Sequence, residues 1–166
     1  MEPSEFVDMV WLSQDCEGYG FVSMRDRVKA NYWTELHFEV PGRIEVPDFD
    51  DIDLYFCPNL FSVPHRRKEY MLPSVWLYAD LDEVSPFDIE TVPPTVVWET
   101  SKGRWQAMWQ CPIAMEPSEH QIINKRLTYM IGADKGGWDA TQVLRIPGTR
   151  NYKYDEQPEV KLVWIS

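Results

Sequence analysis

Apolar and polar residues alternate with a period of two in several short stretches, and that spacing predicts strands. GYGFVSM (18–24) follows a glycine turn and reads as the first, and DLYFCPNLF (53–61) as a second that ends at Pro58-Asn59. SVWLYADLD (74–82) is a third, bounded by Pro73 and Pro86. TVVWET (95–100) and GRWQAMWQ (103–110) follow, and the TSKG between them predicts a hairpin turn.

The period then changes. Ile123, Leu127 and Met130 recur at helical intervals, Pro117-Ser118 stands ahead of Gln121 with capping-box spacing, and Gly132 lies past the end as a C-cap. After the turn DKGGWD, ATQVLRI (140–146) predicts a strand that Pro147-Gly148 breaks, and EVKLVWI (159–165) predicts the last one. Strands outnumber helices, so the expected class is α+β, with a mostly antiparallel sheet and helices packed on one face.

The chain has 166 residues, 44% hydrophobic and 26% charged, which suits one domain with a real core over residues 1–166. It stops just after an apolar strand, so we expect a domain cut from a longer protein. No apolar run approaches the roughly 20 residues that span a bilayer. The acidic start MEPSEFVDMVW lacks the basic and apolar regions of a signal peptide. The expected setting is the cytoplasm, with no membrane partner.

Cys16, Cys57 and Cys111 are odd in number and widely spaced, which excludes a zinc knuckle and argues for reduced packing residues. The net charge of −11 argues against non-specific coating of nucleic acid. Basic residues are nevertheless local: Arg66-Arg67-Lys68 form one cluster, and Thr141–Tyr154 holds Arg145, Arg150 and Lys153 with no acid. Eight tryptophans exceed ordinary usage, and the expected role of most is core packing, with base stacking as the other use.

The candidate chemistry starts at Asp80 and Asp82. Two residues apart on a strand, they project from one face. Two like charges that close need a cation between them, or one must be protonated. A third acid, Asp139, opens another predicted strand. Three such carboxylates brought together would hold Mg2+ or Mn2+, which prefer oxygen ligands. Two ions about 3.5–4 Å apart form the clamp used for in-line displacement at phosphorus. Arg145, Thr149, Arg150, Asn151 and Lys153 gather around a Pro-Gly turn, whose backbone N–H groups can form an anion nest. His37, His65 and His120 have no ligand-spaced partner and are expected to be surface or structural residues.

YADLDEV, VVWETSKGRWQAMW and GADKGGWDATQVLRIPGTRNYK resemble the three motifs of the archaeo-eukaryotic primase superfamily, in particular its plasmid and phage branch of primase-polymerases, the RepB-like primases. The resemblance runs from about residue 53 to about residue 154, and the last motif is its most specific part. It implies a catalytic sheet related to the RNA-recognition-motif fold. It implies that Asp80, Asp82 and Asp139 are the catalytic acids that ligate Mg2+ or Mn2+. The second motif of that family usually carries a histidine that contacts nucleotide phosphates. Gln106 stands in its place here, and Arg104 is the expected source of the missing charge. Arg145 and Lys153 match basic positions expected to hold phosphate, and Ser101 and Lys102 are further candidates for nucleotide contact.

The implied function is template-directed nucleotidyl transfer from nucleoside triphosphates, on single-stranded DNA, during phage or plasmid replication. A downstream helical or helicase region of the full-length protein is an expected partner. The alternative expectation is a catalytically weak or inactive primase-fold domain that binds single-stranded or origin DNA. A replication-initiator endonuclease ranks below both, because no H-x-H pair occurs.

Overall fold

Pro3–Leu12 form a helix, α1, that the strand-dominated pattern did not predict. Phe6, Val7, Val10 and Trp11 are spaced so that one stripe of it is apolar, and all four are buried. That stripe is wedged between two sheets in the computed structural model, which describes residues 1–166.

The first sheet contains β1 (Gly18–Asp26), β2 (Tyr32–Val40), β3 (Ile52–Phe56) and a two-residue β7 (Leu144–Arg145), in the order β2-β1-β3-β7. The second contains β4 (Ser74–Leu81), β5 (Val96–Ser101), β6 (Arg104–Met115) and β8 (Lys161–Ile165), in the order β4-β6-β5-β8. Every pairing is antiparallel. The α+β class expected from the sequence is therefore what the structure has, but the strands divide into two sheets where one was expected.

The main core lies between them. Val22, Leu54, Phe56 and Leu144 of the first sheet and Trp76, Tyr78, Trp98 and Met108 of the second close on α1. The Phe6 ring meets Phe56 edge-on at 5.6 Å and Trp98 at 5.4 Å, so one side chain touches both sheets. Gly20 lies under Trp11, where a Cβ would come within 2.6 Å of the indole, so only glycine allows this approach. Helix α2 (Pro117–Ile131) covers the outer face of the second sheet, burying Leu77, Ala79, Leu81, Val97, Ala107 and Trp109 with its own Leu127.

The hairpin at Lys102-Gly103 forms as predicted, with Gly103 at φ 73°. Gly132 ends α2 in the left-handed conformation, also as predicted. The capping box at Pro117-Ser118 does not form: Glu116 is the N-cap and makes no side-chain cap bond, and Pro117 opens the helix. The strand expected over 140–146 shrinks to Leu144–Arg145, and that over 53–61 ends at Phe56. The three cysteines are free, and burial pushes the Cys57 thiol up to about 12. No helix is long and apolar enough to cross a membrane.

Candidate active site

Strand β4 carries Trp76, Tyr78 and Asp80 on its inner face and Leu77, Ala79 and Leu81 on the face under α2. The inner row begins in the core and ends at its margin, so Asp80 is largely removed from water. Burial first, then the charge of Asp82 and more weakly that of Asp134, push the Asp80 carboxyl up to about 6, against a hydrogen bond from Gln106. Asp82 lies just past the strand and pairs with Arg104 at 3.2 Å. Both of those side chains are more than 40% exposed, so water weakens the pairing and leaves it easily exchanged for another partner.

Gln106 sits beside Asp80 in the β4–β6 register and is buried. Its amide donates to Asp80 Oδ2 at 3.3 Å, while its Oε1 accepts from the Trp98 indole at 3.1 Å and from the Arg145 backbone N–H at 2.9 Å. Strand β7 is the edge of the first sheet, so its outward N–H groups need an acceptor. Gln106, from the second sheet, supplies one. Its oxygen is thus committed within the protein, and its nitrogen donates one of its two hydrogens to Asp80.

Arg145 has its side chain on the face of the first sheet that looks away from α1. It pairs with Asp53 at 3.1 Å and lies over the Tyr55 ring at 4.8 Å. Asp53 is fully buried and also takes Arg27 and the Tyr152 backbone N–H. Burial alone would raise the Asp53 carboxyl; Arg145, the Tyr152 N–H and Arg27 outweigh it and hold it below the usual carboxylate range. Arg145 in turn draws the Asp80 carboxyl downward. A charged group of each sheet, Asp80 of the second and Arg145 of the first, therefore lies near Gln106, which connects the two strands.

Several expected residues lie elsewhere. Asp139 is exposed and lines a cleft of about 360 Å³ with Arg66, Arg67, Lys68, Gln121 and Thr141. Its carbonyl accepts from the Tyr78 hydroxyl at 2.5 Å, and its charge falls on that hydroxyl, not among those that act on Asp80. No three histidine, cysteine or acidic side chains are close enough to hold one ion, so the triad of Asp80, Asp82 and Asp139 does not assemble. The reason is local: Gly137 packs against the Asp80 backbone and the chain then turns under Tyr78, carrying Asp139 past the pair.

The Pro-Gly turn is no anion nest either. Its Gly148, Thr149 and Asn151 N–H groups donate to Val160, Ile146 and Pro158, which fixes the turn against the approach to β8. Lys153 is exposed over Tyr154, Ser101 is buried, and Lys102 is exposed at the hairpin tip.

Asp134 and Asp53 were missed as site residues. The Asp134 N–H donates to the Asp80 carbonyl at 3.0 Å. The only signal for it was its place two residues beyond Gly132, and that meant nothing until α2 was known to pack on β4. Asp53 stood within an acidic run, with nothing to mark it as buried.

The pair of Asp80 and Asp82 still fits Mg2+ or Mn2+. Magnesium is ordinarily held by one or two carboxylates, with water and substrate phosphates completing its shell. Two acids crowded enough to raise one pKa have the excess negative charge such an ion neutralises.

Residues 65–164, well over half of the chain, match the family model described as the RepB DNA-primase N-terminal domain. No curated protein gives a significant match. The crystal structure of primase RepB′ superposes with a TM-score of 0.67 at 17% identity, covering 99% of this chain and 57% of that one. The catalytic domain of primase RepB′ in complex with initiator DNA gives 0.62 at 17% identity, over 98% and 84% of the two chains. The AEP domain of the cyanophage S-2L primase-polymerase gives 0.65 at 8% identity, over 90% and 82%. At these identities the structures testify to the fold, and this chain spans 57% of the RepB′ chain first compared. With the family model carrying the assignment, the chain belongs to the RepB DNA-primase N-terminal domain family.

Proposed function

We propose that this chain is a primase-polymerase catalytic domain, spanning 1–166 within a longer phage or plasmid replication protein. It adds nucleotides from nucleoside or deoxynucleoside triphosphates to a strand copied from single-stranded DNA. A downstream helical or helicase region is its partner in that protein. The observation that carries this reading is the half-buried Asp80 beside Asp82, at the margin of the core of a primase fold.

Asp80 and Asp82 would hold Mg2+ or Mn2+, which supplies positive charge to the triphosphate and the attacking 3′-hydroxyl. The chain's own residues do the rest. Gln106 fixes the Asp80 carboxylate from one side. Arg104 is exchangeable, and leaves Asp82 for a phosphate when nucleotide arrives. Arg145 adds positive charge behind the pair while Asp53 holds it in place. Lys102 at the hairpin tip and Lys153 are further phosphate contacts, and Ser101 supports the hairpin. The test is extension of a primed single-stranded template with Mg2+ or Mn2+. Wild type extends, and Asp80→Asn/Asp82→Asn does not; full extension by the double variant ends the reading.

A second reading has its own observation. Gln106 replaces the expected histidine and has its oxygen committed within the protein, and Asp139 does not join the pair. Both favour a primase-fold domain that binds single-stranded or origin DNA with little or no catalysis. DNA binding unaffected by EDTA, with no incorporation under any metal condition, selects this reading.

A further inference from the structure

Strand β2 is an edge strand, exposed along nearly its whole length, yet it carries a tryptophan on the face that bears Tyr55 and Arg145. In the β1–β2 register Trp33 sits opposite Arg25, and Arg25 sits opposite Asp53 in the β1–β3 register, so all three share the face that bears Tyr55 and Arg145. The Trp33 and Tyr55 rings lean together across β1 with centroids 5.2 Å apart. The Arg25 guanidinium lies 5.4 Å from the Trp33 centroid, and Arg145 lies 4.8 Å from that of Tyr55. A row of Trp33, Arg25, Tyr55 and Arg145 therefore crosses the first sheet from its open edge to β7, where the Arg145 backbone N–H meets Gln106.

The two ends of the row differ. Tyr55 and Arg145 are buried, and the Arg145 charge is taken by Asp53. Trp33 is 47% exposed, Arg25 has no carboxylate partner, and its buried Nε has no hydrogen-bond acceptor. A half-exposed indole beside a cation with no carboxylate partner matches what unpaired nucleic acid offers: a flat base and an adjacent phosphate. A folded protein partner would want an apolar patch here, and the Arg25 cation argues against one, while Glu35 on the same face is neutralised by Arg66. A free mononucleotide has no need of a platform so far out along the row.

We propose that Trp33, backed by Tyr55 and flanked by Arg25, is the stacking platform for a base of the single-stranded DNA that serves as template. The row then sets the distance between the stacked base and the Asp80 carboxylate. This deepens the template-binding part of the proposed function and rests on it. Because stacking needs no divalent ion, it is measured apart from catalysis.

The experiment is fluorescence anisotropy of a labelled oligothymidylate in EDTA, using the intact 166-residue chain, Trp33→Ala, Trp33→Phe and Arg25→Gln. Far-UV dichroism and thermal melts check that each variant is folded. Trp33→Ala is expected to weaken binding by about tenfold, within the range known for one stacked base, and Trp33→Phe by no more than about threefold. Arg25→Gln should weaken binding and flatten its salt dependence. An oligonucleotide abasic along its length should bind wild type and Trp33→Ala alike. Wild-type binding in folded Trp33→Ala, or equal binding of abasic and normal strands by wild type, overturns the platform while leaving the nucleotidyl-transfer reading untouched. Failure of wild type to bind any single strand overturns both the platform and the template assignment.

Discussion

The Gln106 side-chain oxygen accepts from the Arg145 backbone N–H at 2.9 Å, joining the edge strand of one sheet to a central strand of the other. The same amide restrains Asp80 and satisfies Trp98. Truncation would leave two buried donors without an acceptor, each worth about 1–3 kcal/mol. Gln106→Ala is therefore expected to lose roughly 2–6 kcal/mol of stability in urea unfolding. A loss below about 1 kcal/mol would show that water replaces the bridge.

Asp80 stores an electrostatic penalty. Its folded pKa of about 6 lies above its ordinary value of 3.8, so the folded state binds the proton more tightly than the unfolded state. Stability from this group is full below pH 4 and falls as pH rises through 6. Asp80→Asn should thus stabilise the protein at pH 7.5, by about 1–3 kcal/mol, and have little effect at pH 3.5. Mg2+ or Mn2+ should raise the wild-type melting temperature at pH 7.5 and leave that of Asp80→Asn unchanged.

His120 acts in the opposite direction. Its Nε2 meets the Trp76 carbonyl at 2.7 Å, which assigns the ring proton to Nε2, and its Nδ1 is buried without a partner. Burial lowers its pKa. Its contribution is present above about pH 6.5 and is lost as pH falls toward the depressed folded value. Because this window overlaps that of Asp80, the comparison of wild type with His120→Gln across pH 4.5–7.5 isolates it. The variant should lack the acid-side loss, so that its stability relative to wild type rises as pH drops below about 6.5, together with less acid-induced exchange of amides in α2.

Asp53 is charged, fully buried and shared by Arg27 and Arg145. Removing it leaves two arginines uncompensated, one of them buried, and breaking such a set is expected to cost about 3–5 kcal/mol. Asp53→Ala should unfold at markedly lower denaturant. Because Arg145 also loses its anchor, a folded fraction should bind nucleotide less tightly.

Arg67 and Lys68 line the cleft with Asp139 and have no ion-pair partner, whereas Arg66 is held by Glu35 and the Thr141 carbonyl. We expect Arg67→Ala/Lys68→Ala to weaken single-strand binding at low salt. The slope of log K against log salt should fall by about 0.7 for each lost phosphate contact.

The sequence revealed the fold wherever apolar alternation was bounded by proline or glycine. Strands β1, β4, β5, β6 and β8 and helix α2 all have such boundaries. It was silent on β2, because Tyr32–Val40 is exposed on nearly every residue and so shows no buried period. The expectation omitted α1: Phe6, Val7, Val10 and Trp11 have helical spacing, but over only ten residues, and the contact of Phe6 with both sheets has no local signature. At the site, the two-residue spacing of Asp80 and Asp82 predicted their crowding correctly. Asp139 could not be placed in the same way. Its position depends on how Gly137 packs against Asp80, a contact between segments far apart in sequence. The buried Asp53–Arg145 pair, 92 residues apart, had no local signature at all.

The central claim is that Asp80 and Asp82 together bind the divalent ion that carries the nucleotide. Crystals grown with Mn2+ and a non-hydrolysable nucleoside triphosphate, measured at the manganese absorption edge, test it directly. We predict an anomalous peak bridging the Asp80 and Asp82 carboxylates, with Arg104 turned from Asp82 toward phosphate. Manganese bound only elsewhere, or nucleotide bound at the site with no ion at this pair, would contradict it.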